Sequence, residues 1–70
     1  MEVKDSNGTL LNAGDSVTLI KSLKVKGSTI TLKQGTVVKN IKLTDDEDAI
    51  EGKVEGSVMV LKTEFLRKKG

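Results

Sequence analysis

Between residues 13 and 43 the chain repeats one device: apolar and polar residues alternate, and glycine breaks the pattern. Val17-Thr18-Leu19 alternates with Ile20 extending it, Leu23-Lys24-Val25-Lys26 alternates, and Thr29-Ile30-Thr31-Leu32-Lys33 alternates again. Gly14, Gly27 and Gly35 stand at the breaks. Successive side chains of a strand point to opposite faces, so a period of two buries one face and wets the other. The Thr, Val and Ile content of these runs favours strand over helix.

The flanking sequence continues in the same style. Val3, Lys4 and Asp5 read as an extended segment. Asn7-Gly8 then predicts a type I′ hairpin, in which both central residues need positive φ, and Thr9, Leu10 and Leu11 return. Asn12-Ala13-Gly14-Asp15 is a second turn, with Gly14 in a left-handed conformation. Residues 36–43 form the longest strand candidate. Val37, Ile41 and Leu43 can share a face there, and Lys39 interrupts it, which predicts a bend or bulge near Lys39-Asn40. An acidic loop covers residues 44–48. Residues 49–54 and 58–62 are two further strands around a turn at Glu55-Gly56-Ser57, and Gly52 predicts a bulge or a close backbone contact. Residues 63–68 read as a helical turn capped by Thr63 or as a terminal strand. The end, from Lys68 onward, is expected to fray.

A chain of 70 residues makes one domain, residues 1–70, with a thin core. Without cysteine or histidine it has neither disulfide nor zinc staples to compensate. The core is expected to comprise Val17, Leu19, Leu23, Val25, Ile30, Leu32, Val37, Ile41, Leu43, Ile50, Val54, Met59, Leu61 and Phe65. Five to six short antiparallel strands with turns roughly every 8–12 residues describe a small all-β barrel or sandwich. A partly closed barrel handles exposed strand edges better than two small sheets do.

The residues also carry a resemblance. Val3-Lys4-Asp5-Ser6-Asn7-Gly8, Gly14-Asp15-Ser16-Val17-Thr18, Lys21-Ser22-Leu23-Lys24-Val25-Lys26-Gly27-Ser28, Leu32-Lys33-Gln34-Gly35-Thr36 and Val38-Lys39-Asn40-Ile41 are similar to the C-terminal domain of the PhnA-like family. Past residue 44 the likeness rests on Gly52-Lys53 and Leu61-Lys62-Thr63-Glu64-Phe65. The resemblance implies a small SH3-like β-barrel. It further implies, for longer members, an N-terminal zinc-ribbon segment with paired cysteines, which a chain without cysteine does not carry. The family is named after a protein of an alkylphosphonate-utilisation operon. That name records an association, and phosphonate hydrolysis does not follow from it.

Chemistry is sparse. Absent histidine and cysteine remove the commonest general base and the best nucleophile. No glycine-rich loop opens a helix where phosphate could be cradled. The chain is therefore expected not to be an enzyme and to need no cofactor. Lys21, Lys24, Lys26, Lys33, Lys39 and Lys42 share a window that holds no acid after Asp15. On one face they would attract a polyanion; as separate wet-face residues they would only solvate strands and discourage edge pairing. Phe65 is the one aromatic residue and reads as a core plug with Leu66, so stacking on single-stranded bases lacks a platform. Asp45, Asp46, Glu47, Asp48 and Glu51 lack the spacing of a calcium loop and read as a solvated tip.

No run of residues is long and apolar enough for a membrane helix, and Met1-Glu2-Val3-Lys4-Asp5 does not resemble the start of a signal peptide. The sequence thus predicts a cytoplasmic monomer away from membranes. Its expected role is that of a non-catalytic binding module for a protein partner or nucleic acid. Polyanion contact through the lysines is the alternative, and a phosphonate enzyme or carrier a distant third.

Overall fold

The computed structural model describes residues 2–24, 31–54 and 56–69. Among the described residues ten short strands follow one another: β1 Val3–Lys4, β2 Leu10–Leu11, β3 Val17–Leu19, β4 Leu23–Lys24, β5 Thr31–Leu32, β6 Val37–Val38, β7 Lys42–Leu43, β8 Ala49–Val54, β9 Ser57–Lys62 and β10 Leu66–Lys68. A 3₁₀ turn, Thr63–Phe65, joins β9 to β10. All pairing among the described residues is antiparallel, in sheets ordered β1-β2, β10-β3-β6, β4-β5 and β7-β8-β9. The fold is all-β, as expected. The strands outnumber the five to six anticipated because turns cut the chain into shorter pieces. Barrel closure is an expectation that the resemblance carries; the strand pairing establishes the antiparallel all-β class.

The core forms where strands from different sheets turn their apolar faces together. Leu11, Leu19, Ile41, Ile50, Leu66, Val3, Val17 and Val38 are almost wholly buried. Each such side chain stabilises the fold by roughly 1.5–3 kcal/mol relative to exposure. In the central sheet Leu19 faces Leu66 and Val17 faces Val38 across the ladder, so buried residues meet as cross-strand pairs. Of the expected core, Val17, Leu19, Leu32, Ile41, Ile50, Val54, Met59 and Leu61 are buried. Leu23 and Phe65 are only half-buried. Val25 and Ile30 lie outside the described residues, as do Lys26 and the expected Gly27-Ser28 turn.

Val37 and Leu43 are corrections: both are exposed, and Val38 is buried instead. Two adjacent valines offer a period-2 pattern either register, and a long-range contact chooses. At Gly52 on β8, an added Cβ would run into Cγ1 of Val38. The absent side chain is therefore the socket that Val38 fills, which puts Val38 inside and Val37 outside. The glycine marks this close approach and not a bulge, because the β8–β9 register runs unbroken from Ala49↔Lys62 to Val54↔Ser57. The bend expected at Lys39-Asn40 is present. Asn40 has φ 54°, a left-handed conformation that asparagine tolerates better than most residues, and it separates β6 from β7.

The first hairpin differs from the type I′ expectation. Only Gly8 has positive φ there (82°), and Gly8 N–H donates to the Asp5 carbonyl while Asp5 N–H donates to Thr9 O. This is the three-residue loop of a type I turn followed by a left-handed residue. Thr63 is not a cap either. Lys62 occupies that position without a side-chain hydrogen bond, and Thr63 is buried inside the turn. The end of the chain does not fray at Lys68 or Lys69. Lys68 pairs with Val17 in the ladder, and Lys69 N–H donates to Ser16 O at 2.9 Å.

Candidate functional site

The expected lysines separate into groups. Lys21 places its ammonium 4.6 Å from the centroid of the Phe65 ring, a cation–π contact at the surface. Lys24, on β4, borders a groove together with Leu23 and Phe65. Lys33 lines a separate depression with Thr31 and Thr36. Lys39 and Lys42 come together with a residue that the lysine-rich window does not contain, Lys53 of β8, around a concavity of about 300 Å³. Lys26 lies outside the described residues. Of the expected lysines among the described residues, only Lys39 and Lys42 line the same concavity.

The Lys39–Lys42–Lys53 concavity follows from local backbone. Glu51 and Lys53 alternate with inward Ile50, Gly52 and Val54 on β8, so they project outward. Lys42 pairs directly with Glu51, and Lys53 with Val58. Lys39 is brought over β8 because Val38 seats against Gly52 and the left-handed Asn40 turns the chain into β7. Lys53 also borders the depression that holds Lys33, so it links the two. All four lysines are exposed. Among the described residues the only ion pair joins Lys68 Nζ to Asp15 Oδ2 at 3.3 Å, which leaves Lys39, Lys42 and Lys53 without a carboxylate partner there. A single carboxylate among the described residues, Glu51, shares their concavity. The alternation in Ala49-Ile50-Glu51-Gly52-Lys53-Val54 was the signal that could have added Lys53 to the set.

The acids form a different surface. Asp46 Oδ1 accepts the Asp48 N–H at 2.8 Å, and Thr44 Oγ1 accepts the Asp46 N–H at 3.0 Å. The loop thereby turns on its own side chains. Glu47 and Asp48 border a broad depression with Glu2 and Glu64, while Glu51 sits among the lysines. Among the described residues no group of acidic side chains is placed to hold a metal ion.

Asp5, which sequence reading passed over as part of a strand, is the most heavily engaged carboxylate among the described residues. It is 7% exposed. Its Oδ1 accepts N–H bonds from Asn7 and Thr9 at 2.9 and 2.8 Å, and its Oδ2 accepts the Lys68 N–H at 2.7 Å. Burial pushes this carboxyl up, but the three backbone N–H groups and the charge of Arg67 outweigh it and hold it below the ordinary carboxylate value. Asp15 is also lowered, first by the N–H of Asn12 and then by Lys68. These two carboxylates tie the first hairpin and the Asn12–Asp15 turn to the last strand. They are structural.

No helix among the described residues is long and apolar enough to cross a membrane. Residues 3–69 match the family model described as YjdM: PhnA domain. The chain is 57% identical over 67 residues to protein YjdM of Escherichia coli (strain K12), covering 94% of this chain and 60% of the relative. It is 54% identical over 67 residues to protein YjdM of Streptococcus mutans, covering 94% of this chain and 61% of that one. With the YjdM homolog of Haemophilus influenzae the identity is 52% over 67 residues, 94% of this chain and 52% of the relative. The chain thus spans between about half and three-fifths of the length of these curated relatives.

Proposed function

The chain belongs to the PhnA domain family, and on that premise we propose that it is a non-catalytic binding module that grips an anionic backbone with Lys39, Lys42 and Lys53. The observation that carries this reading is that three exposed lysines line one concavity, none of them in an ion pair among the described residues. Ammonium groups in water attract phosphate without first breaking an internal pair, and they release counterions when they do. Glu51, directly across from Lys42, limits self-repulsion within the patch.

Duplex nucleic acid is the ligand class that fits best. Backbone phosphate contacts need positive charge and no aromatic stack. Phe65, the only aromatic, lies under Lys21 and away from this concavity, so single-strand stacking is poorly served. The absence of histidine and cysteine, together with the structural use of Asp5 and Asp15, supports a module that binds without catalysing. A cytoplasmic location accords with such a ligand.

An amide-shift titration of the intact protein tests the reading. A short DNA duplex at low salt is expected to shift Lys39, Lys42 and Lys53 and their neighbours, and the shifts are expected to vanish in high salt. No shift at low salt would remove the proposal. Saturable shifts with methylphosphonate but none with inorganic phosphate would favour a phosphonate carrier instead.

A further inference from the structure

The three-stranded sheet β7-β8-β9 ends in β9, whose only neighbour among the described residues is β8. At six residues, β9 is tied with β8 as the longest described strand. In an antiparallel ladder every second residue of an outer strand turns its N–H and C=O away from its partner. Such an edge is open to pairing unless something blunts it.

Among the described residues no strand pairs with the outer edge of β9. Val58 and Val60 are 62% and 67% exposed, the most exposed large apolar side chains described. A groove of about 300 Å³ touches all of residues 58–62 in succession. Successive side chains of a strand point to opposite faces, so a groove touching five in a row runs along the strand's edge and not over one face. Its far wall is Leu23 and Lys24 of β4, with Phe65 completing the lining. Among the described residues the only charges lining it are Lys24 and Lys62, and Lys21 stands over the Phe65 ring.

We propose that this groove docks an extended peptide segment, with alternating apolar side chains and acidic flanks, as an added strand on β9. The bound strand would take main-chain hydrogen bonds from the open edge and set its apolar residues against Val58, Val60 and Phe65. Lys24 and Lys62 select acidic flanks by charge complementarity. They also disfavour a second copy of this chain, because pairing two β9 edges brings two sets of groove lysines together. The groove meets the Lys39–Lys42–Lys53 concavity at Val58, which lines both, but the proposal does not depend on the function proposed there.

The test uses the intact protein and two synthetic ten-residue peptides with the same alternating valine–threonine core, one flanked by aspartates and one by lysines. The aspartate peptide is expected to shift the amides of residues 58–62 and of Leu23, to slow hydrogen exchange along the outer edge of β9, and to bind on the order of tenfold tighter than the lysine peptide. Lys24→Glu with Lys62→Glu is expected to invert that order. Val58→Thr with Val60→Thr is expected to weaken both peptides while leaving the fold intact, since neither valine is buried. Equal affinity for the two peptides would overturn the proposal. So would shifts confined to Lys39, Lys42 and Lys53, or concentration-dependent self-association through β9 without peptide.

Discussion

Around Asp5, one carboxylate accepts three backbone N–H groups, one of them from Lys68 at the far end of the chain. Leu66 O also accepts the Ser6 N–H there, at 2.8 Å. Around Lys53, three ammonium groups stand in water without a carboxylate partner among the described residues. Both regions are assembled from short antiparallel strands, yet the first uses charge to hold the fold and the second presents it. The difference teaches how to sort charged residues in a small domain. A charge whose hydrogen bonds are satisfied internally contributes to stability, and a charge held unpaired by a rigid sheet is available to a ligand.

Substitutions should therefore divide into two classes. The largest effect is expected at Leu66, which is fully buried opposite Leu19. Leu66→Ala should cost about 2–5 kcal/mol, read by urea unfolding; a loss under about 1 kcal/mol would mean the two ends of the chain are not packed as described. Asp5→Ala comes next. It strands three backbone N–H groups and should cost about 2–3 kcal/mol without weakening duplex binding under conditions where the variant is folded. Because Asp5's folded pKa lies below its unfolded one, its contribution is complete above the ordinary carboxylate value of about 3.9 and fades as pH falls through the lowered value. Wild type should thus lose stability on acidification below about pH 4, and the variant should lose less over the same window, as chemical unfolding across pH will show.

Gly52→Ala is expected to cost about 1–3 kcal/mol through overpacking against Val38. Val38→Ala in the same chain should recover part of that loss, a coupling measurable in a double-mutant cycle. The smallest effect is expected at Val37. Val37→Thr should stay within about 0.5 kcal/mol, whereas Val38→Thr, one residue on, should be clearly destabilising. Equal effects at the two valines would break the assigned register.

That register shows what the sequence can and cannot carry. Val17-Thr18-Leu19 announces its strand and its buried face, because alternation is a local signal. Gly14 and Gly35 announce their turns, and both do take positive φ. Val37-Val38 announces only a strand. The choice between its faces is made by Gly52, on a different strand, and no local pattern contains it. Asp5 is harder still. A carboxylate beside a turn reads as solvated until Lys68, sixty-three residues on, is known to lie beside it. Among the site residues, Lys42 was legible as a strand lysine, whereas Lys39 falls in the connection between β6 and β7. Their meeting with Lys53 depends on the β7–β8 pairing and the Asn40 bend, and their separation from Lys21 and Lys24 depends on which sheet each strand joins.

The contrast between engaged and free charge comes to a single comparison, the salt dependence of duplex binding in wild type and in Lys39→Gln/Lys42→Gln/Lys53→Gln. If these three lysines neutralise phosphates, the slope of log affinity against log salt should fall in magnitude by about 0.9 for each phosphate no longer neutralised, with the unfolding free energy nearly unchanged. An unaltered slope in a folded triple variant would contradict the account.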